Sequence, residues 1–239
     1  MKASLSLPLA VGLLAFGAGC IDNWESFFVH DNKRLGEPPG CEIPTDSNAT
    51  GLVVGLLDVS VRRSYHAYLF TDNGLIARED PGRPTAESNA IFVHGAYLNY
   101  EPDPLCVVAM PPIETRFSNY IAPGGSATIG VEILPDSIGQ VIAGAIGGCT
   151  DQRMTIIVTV ELFGQTQAGI DVLTQPFDYP ITVCNGCLVY CPIGMTCPPL
   201  TPTPGTDCDC HDTTVDTGEL PCMPGQDDPI DCRLVPPCT

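Results

Sequence analysis

Two cysteine-containing stretches near the C-terminus carry residue types that bind metals or exchange disulfides. One is Cys184-Asn185-Gly186-Cys187 followed by Cys191, and the other is Cys208-Asp209-Cys210-His211-Asp212. A thiolate zinc site needs paired Cys-x-x-Cys elements, and only one is present. Leu188 stands where haem attachment requires His, and a redox pair requires a reactive, accessible thiolate. The pattern favours structural disulfides, with metal and redox roles as alternatives, and predicts no cofactor.

Side chains that could act in catalysis are scattered along the chain. The four histidines lack His-x-x-x-His or Glu-x-x-His spacing, and no Gly-x-Ser-x-Gly elbow positions a nucleophile. Gly124-Gly125-Ser126 is typical of a turn, since no Lys follows to complete a phosphate-binding loop. We therefore predict no catalytic residue and no enzymatic activity. The histidines are His30, His66, His94 and His211.

Four aspartates between positions 207 and 216 give a calcium alternative. Carboxylate oxygens are ligands that Ca²⁺ prefers, but the glycine and terminal glutamate of an EF-hand loop are missing. Two alternative functions rest on this stretch: an enzyme with a metal near Cys208–Asp216, and a calcium-dependent adhesion module. The aspartates are Asp207, Asp209, Asp212 and Asp216.

The charge balance excludes two classes of partner. The chain has 239 residues and a formal net charge of -18, from 10 basic and 28 acidic residues. Binding to nucleic acid requires clusters of Lys and Arg, and none is present. Electrostatic attachment to an anionic membrane surface is excluded for the same reason.

The N-terminus carries the features of an export signal. Lys2 is followed by an apolar run from Leu5 to Gly19 that is too short to span a bilayer. The run ends Gly17-Ala18-Gly19-Cys20, with small residues directly before a cysteine. Over residues 1–20 the chain resembles bacterial lipoproteins, although Gly17 replaces the usual Leu. The resemblance implies a signal peptide over 1–19, lipid on Cys20 and a place in the cell envelope. We expect an outer-membrane lipoprotein facing the periplasm or the cell surface; an ordinary cleaved signal peptide is the alternative.

The number of cysteines agrees with lipid on Cys20. Removing Cys20 from the 13 cysteines leaves an even set of 12, which predicts a disulfide framework in an oxidising compartment. Three lie before residue 184 and nine from there on, so complete pairing requires at least one disulfide between tail and body. The candidates are Cys41, Cys106, Cys149, Cys184, Cys187, Cys191, Cys197, Cys208, Cys210, Cys222, Cys232 and Cys238.

Alternating runs of apolar residues predict an all-β fold. The clearest hairpin lies between Arg153 and Cys187, where Met154 to Leu162 and Phe177 to Val183 alternate with period two. Seven or eight strands over residues 50–184 favour an antiparallel, immunoglobulin-like β-sandwich, with a β-barrel as the alternative. We expect the hairpin in the middle of one sheet. The predicted domains are a tether over 20–48, the sandwich over 49–184 and a disulfide-rich, irregular tail over 185–239.

Several details of the strands follow from the same patterns. From Leu52 to Val61 the alternation changes phase at Leu56-Leu57, which indicates either a bulge or a strand buried on both faces, and we expect a further short strand over 105–110. Residues 90–100 predict a strand with Phe92, His94, Ala96, Leu98 and Tyr100 on one face. The glycine-containing stretch 135–148 predicts a loop with a short helical turn.

Together these features predict a non-catalytic, lipid-anchored envelope protein with a binding or structural role. The membrane is the first partner, through the lipid on Cys20. A protein or glycan could bind a loop or an edge strand of the sandwich. The sequence does not identify that ligand.

Overall fold

A computed structural model describes residues 26–77, 88–103, 106, 108–149, 152–190 and 219–235. Strands dominate these residues, which include one α-helix, α1 (Asp136–Ala145). Within the described residues no helix is long and apolar enough to cross a bilayer. The strands are β1 (Phe27–Lys33), β2 (Gly51–Leu52), β3 (Gly55–Asp58), β4 (Tyr65–Asn73), β5 (Ile91–Pro102), β6 (Ile113–Ile121), β7 (Ser126–Leu134), β8 (Arg153–Thr166), β9 (Asp171–Leu173), β10 (Phe177–Cys184), β11 (Val189–Tyr190) and β12 (Ile230–Asp231).

Two main sheets enclose one hydrophobic core. The smaller sheet has the order β2-β1-β4-β7, and the larger has the order β3-β10-β8-β5-β6, with β9 beside β8. Pairing in both is antiparallel except between β3 and β10. The buried cluster draws on both sheets, as in a two-layer sandwich. The predicted all-β sandwich is confirmed.

The hairpin of β8 and β10 lies in the middle of the larger sheet, as expected. The two strands pair from Phe177↔Val160 to Cys184↔Arg153. Even-numbered residues of β8 from Met154 to Leu162 are buried, whereas Arg153, Thr155 and Ile157 are exposed. Because the side chains of a strand alternate between its two faces, the period-two pattern correctly predicted which residues of β8 are buried.

The sandwich begins earlier than the sequence indicated. Residues 27–33, inside the predicted tether, form β1 and pair with β4 from Phe27↔Asn73 to Asn32↔Leu69. Phe27 is fully buried. Lys33 is only 1% exposed, and its ammonium group donates to Asp31 Oδ2 (2.9 Å), Ser47 O (2.7 Å) and Ala49 O (2.9 Å). A charge this deeply buried requires such partners, and these hold residues 46–49 against β1.

Strand β5 changes the face that it buries partway along. A β-bulge lies between Val93 and Gly95. Phe92 and His94 are therefore exposed, whereas Ala96 and Leu98 are buried. The prediction that Phe92, His94, Ala96, Leu98 and Tyr100 share one face is wrong, because the extra residue of a bulge shifts the alternation by one.

The chain changes sheets between β2 and β3. The interruption lies at Val53-Val54, where both side chains are exposed. β3 is then buried on both faces at Leu57 and Asp58, which is one of the two explanations expected for the change of phase at Leu56-Leu57. Gly51–Leu52 pairs with β1 in the smaller sheet, and Gly55–Asp58 pairs with β10 in the larger. Two strands therefore replace the single predicted strand region.

Two further segments differ from expectation. The strand predicted over 105–110 is absent from the described residues of that stretch, 106 and 108–110. Strand β6, which was not predicted, follows at Ile113–Ile121 and forms one end of the larger sheet. Residues 136–148 form α1 and a 3-10 turn, a longer helix than the expected loop with a short helical turn, because Ile138 and Ile142 are buried on one side of it.

Candidate functional site

Seven of the twelve predicted disulfide cysteines lie within the described residues, and all seven are disulfide-bonded. Cys41 bonds Cys222 across 181 residues, Cys106 bonds Cys149, and Cys184 bonds Cys187. Cys232 is also disulfide-bonded. The Cys41–Cys222 bond connects tail to body, as the cysteine count predicted. Other predicted positions lie outside the described residues: Cys20, Cys191, Cys197, Cys208, Cys210 and Cys238.

The Cys184–Cys187 loop forms a structural corner of the sandwich. Its two sulfurs lie close to the Asp58 carboxylate, so the three residues have a metal-like arrangement. The sulfurs are bonded to each other, however. Asp58 Oδ1 accepts from Gly186 N (2.8 Å), and Oδ2 accepts from Leu188 N (2.9 Å). With these ligand atoms engaged, the arrangement orients the loop and offers no thiolate to a metal.

Residues 222–228, here named the C-terminal clasp, extend the larger sheet beyond β3. Asp58 N donates to Gly225 O (2.8 Å), and Asp227 N donates to Leu56 O (2.8 Å). In return, Leu56 N donates to the side chain of Asp227 (2.8 Å). The clasp therefore covers the edge of β3 that does not pair with β10. Sheets commonly need such protection of their edge strands.

The side chain of Gln226 imitates a neighbouring strand for β4. Its Oε1 accepts from His66 N (2.9 Å), and its Nε2 donates to His66 O (2.7 Å). The pairing of β1 with β4 extends only to Asn32↔Leu69. Gln226 thus satisfies backbone groups of β4 beyond the end of that pairing, as buried polar groups require.

A buried polar cluster lies where the clasp meets both sheets. Tyr65 OH donates to Asp227 Oδ2 (2.8 Å) and lies 3.1 Å from Tyr179 OH. Burial, followed by the nearby Asp227 charge, raises the pKa of Tyr65 far above its ordinary value. Burial also raises the pKa of Asp227, although bonds from Leu56, Tyr65 and Gln226 oppose this shift. Tyr65 therefore remains a protonated donor, and the cluster connects smaller sheet, larger sheet and clasp.

The candidate binding site is a groove between β1 and β10, with a volume of about 360 Å³. β2 pairs only with Asn32 and Lys33 of β1, and β3 pairs only with Ile181–Cys184 of β10. In the part of the chain that the structure describes, the first halves of β1 and β10 therefore each keep one unpaired edge. Among the residues that line the groove are His30, Asp31, Val53, Phe177, Asp178 and Tyr179.

The groove combines apolar rings with acidic side chains. Phe177 and Tyr179 stack with ring centroids 6.2 Å apart. Asp178 is exposed and accepts from the Thr159 hydroxyl (2.7 Å). His30 Nε2 lies 2.6 Å from Asp72 Oδ2. A carboxylate bonded to a histidine resembles part of a catalytic triad, but the described residues that line the groove include no Ser, Thr, Cys or Lys that could serve as the nucleophile.

The other described histidines do not lie in the groove lining. His66 lies 3.3 Å from the Arg62 guanidinium, and burial, followed by this charge, lowers its pKa. His94 is exposed on the outer face of β5. His30 and Asp72 are 42 positions apart, and no sequence spacing indicated that β1 and β4 would bring them together.

Comparison with known proteins identifies no relative. No family model, curated protein or solved structure matches the chain.

Proposed function

We propose that this chain is a non-catalytic, lipid-anchored protein of the cell envelope that binds a partner in the groove between β1 and β10. The Cys41–Cys222 disulfide carries the proposal. A disulfide that closes the fold across 181 residues requires an oxidising compartment to form and persist. Export of the chain from the cytoplasm would place it in such a compartment.

Attachment through Cys20 is supported by the N-terminal sequence. The apolar run from Leu5 to Gly19 ends in small residues directly before Cys20. The two longer disulfides, Cys41–Cys222 and Cys106–Cys149, use all three body cysteines and one from the tail. This pairing agrees with a framework of 12 cysteines that leaves Cys20 for lipid. The expected location is the outer membrane, facing the periplasm or the cell surface.

The composition of the groove supports a binding role. The half-buried Phe177 ring and the exposed Val53 lie beside the exposed His30 and Asp178, and apolar groups next to hydrogen-bonding side chains are typical of surfaces that bind protein or glycan partners. The net charge of -18 argues against nucleic acid. Both alternatives, the metal-dependent enzyme and the calcium-dependent adhesion module, depend on residues 207–216, which lie outside the described residues.

Fractionation of producing cells tests the proposal. The wild-type chain should sediment with membranes and be released only by detergent. Cys20→Ser should remove the lipid attachment site and leave the protein out of the detergent-extracted membrane fraction. Cys41→Ser is the matched control, since it removes a cysteine from the fold but keeps Cys20, and it should remain membrane-bound. Equal membrane association of wild type and Cys20→Ser would contradict lipid anchoring.

A further inference from the structure

One end of the sandwich collects the loops that surround the start of β1. This anchor end consists of Ser26, Asn73–Ile76, Ser88–Ala90, Ala122–Gly125 and Gln167–Ile170. β1, β5 and β7 begin here, and β4, β6 and β8 end here, as their registers show. The Cys184–Cys187 loop, the C-terminal clasp and α1 lie at the opposite end.

Asn73 ties the loops of the anchor end together. It is 1% exposed, and its Nδ2 donates to Asn89 O (2.8 Å) and Ala122 O (3.2 Å). Its backbone N–H donates to Gly125 O (2.9 Å). Gly74 N in turn donates to Ser26 O (2.8 Å). The anchor end is therefore a set of cross-connected turns fixed to the point where the described chain starts.

Apolar side chains project from this end. Ile76 is 82% exposed and Ile170 is 53% exposed. At the adjoining strand ends, Tyr120 and Phe92 are also exposed, with ring centroids 5.4 Å apart. Asn89 Nδ2 donates to Ile76 O (2.6 Å), and Ile170 N donates to the Thr166 hydroxyl (3.1 Å). Both isoleucines are thus held by ordered backbone while their side chains face outward.

The length of chain before Ser26 determines what this end can face. Six peptide units separate Cys20 from Ser26, and even fully extended they reach about 20 Å. A lipid on Cys20 places that residue at the membrane surface. Ser26 then lies within about 20 Å of the bilayer, and its neighbours in the anchor end lie there with it.

We propose that the anchor end rests on the lipid surface, with Ile76 and Ile170 in the membrane interface and the clasp end facing away. The inference rests on the proposed lipidation of Cys20. Isoleucine side chains gain from burial in the boundary between headgroups and acyl chains. The contact is apolar and suits an uncharged lipid surface, because the net charge of -18 opposes approach to anionic lipid.

Tryptophan quenching by brominated lipid tests the orientation. Ile76→Trp, Ile170→Trp and the control Val141→Trp are each made with Trp24→Phe, so that each protein holds one tryptophan. Val141 lies on α1 at the opposite end and is 46% exposed. The lipidated proteins are reconstituted in vesicles of phosphatidylcholine brominated near the headgroup. Intact mass of each sample confirms that Cys20 carries lipid.

We expect strong quenching of Trp at 76 and 170 and at least five-fold weaker quenching at 141. Equal quenching at all three positions, or at none, in lipidated protein would overturn the proposed orientation and leave the lipid anchor standing. A mass that shows no lipid on Cys20 would overturn both the anchor and the orientation that depends on it.

Discussion

The hydroxyl of Tyr65 donates a 2.8 Å hydrogen bond to Oδ2 of Asp227, although 162 positions separate the two residues. Tyr65 belongs to β4 and is fully buried, and Asp227 belongs to the C-terminal clasp. Asp227 also bonds Leu56 N in β3. The C-terminal tail, which was predicted as a unit distinct from the sandwich, therefore contributes Asp227 to the polar interior of the sandwich.

Tyr65→Phe should lower the free energy of unfolding by about 1–3 kcal/mol. The substitution keeps the ring but removes the shortest bond to Asp227 Oδ2 and leaves that buried oxygen with only the 3.3 Å bond from Gln226 Nε2, which is costly. Urea denaturation followed by fluorescence measures the change. Tyr120→Phe, at a tyrosine that is mostly exposed, is the matched control and should change stability by less than about 0.5 kcal/mol. Similar losses for both variants would contradict the role assigned to Tyr65.

Asp227 should make the fold less stable as the pH rises. Burial raises the pKa of its carboxyl in the folded state above the ordinary 3.8, so the folded protein binds this proton more tightly than the unfolded chain. Its contribution to stability is greatest below 3.8 and declines as the pH rises through the folded pKa. The free energy of unfolding of wild type, minus that of Asp227→Asn, should therefore fall as the pH rises from about 3 to about 7. This is the range over which a carboxyl with a raised pKa loses its proton.

Asp231 gives the opposite sign and serves as the control. Hydrogen bonds from Arg233 lower the pKa of the Asp231 carboxyl below 3.8. Its contribution to stability is present above 3.8 and is lost as the pH falls through the folded pKa. The difference between wild type and Asp231→Asn should thus rise with pH. If the two differences changed with pH in the same direction, the opposite pKa shifts assigned to Asp227 and Asp231 would be contradicted.

Removing the Cys41–Cys222 bond should loosen the clasp. Cys41→Ala with Cys222→Ala should lower the free energy of unfolding by about 2–4 kcal/mol, since this disulfide closes a long loop. Hydrogen exchange at the amides of Leu56, Asp58 and Asp227, which bond across the clasp, should accelerate. Cys184→Ala with Cys187→Ala is the control. That pair spans three positions and should leave the exchange of clasp amides much less affected.

Gly95→Ala should destabilise the bulge of β5. A Cβ at this position would overlap the Thr115 carbonyl oxygen and lie 2.7 Å from the Phe163 ring. Such overpacking typically costs about 1–3 kcal/mol. Gly144→Ala in α1 has no atom within 4 Å of the new Cβ and should instead stabilise by up to about 1 kcal/mol, since alanine favours helix. Thermal unfolding of both variants gives the comparison, and equal effects would argue against the close contact at Gly95.

Strong alternation of apolar residues in the sequence was sufficient to predict the central strand of the larger sheet and its buried face. The buried residues from Met154 to Leu162 alternate mainly with polar residues on a central strand, so the inward face followed from period two alone. β6 escaped prediction because it forms the end of its sheet, where Ile113 and Phe117 are only half-buried. Its alternation mixes these residues with Thr115 and Asn119, which weakens the apolar signal.

Other features of the fold depend on contacts between residues that are distant in sequence, and the local sequence pattern did not predict them. The burial of Phe27 depends on the pairing of β1 with β4, which the local pattern does not indicate. The bulge at Val93 and Gly95 reverses the faces of β5, and Gly95 inside the alternating run is its local signal. Cysteine counting did predict a tail-to-body disulfide, but not that Cys41 and Cys222 would form it. The His30–Asp72 contact in the candidate site likewise depends on the β1–β4 register and has no signature in sequence spacing.

Mass spectrometry of the mature N-terminal peptide tests the central claim most directly. The protein is isolated from membranes of producing cells, digested, and analysed for the peptide that begins at residue 20. Lipid anchoring predicts an N-terminal Cys20 whose mass is increased by two or three acyl chains, with palmitate among them. An unmodified N-terminus at Cys20, or a mature chain that begins at another residue, would contradict the account.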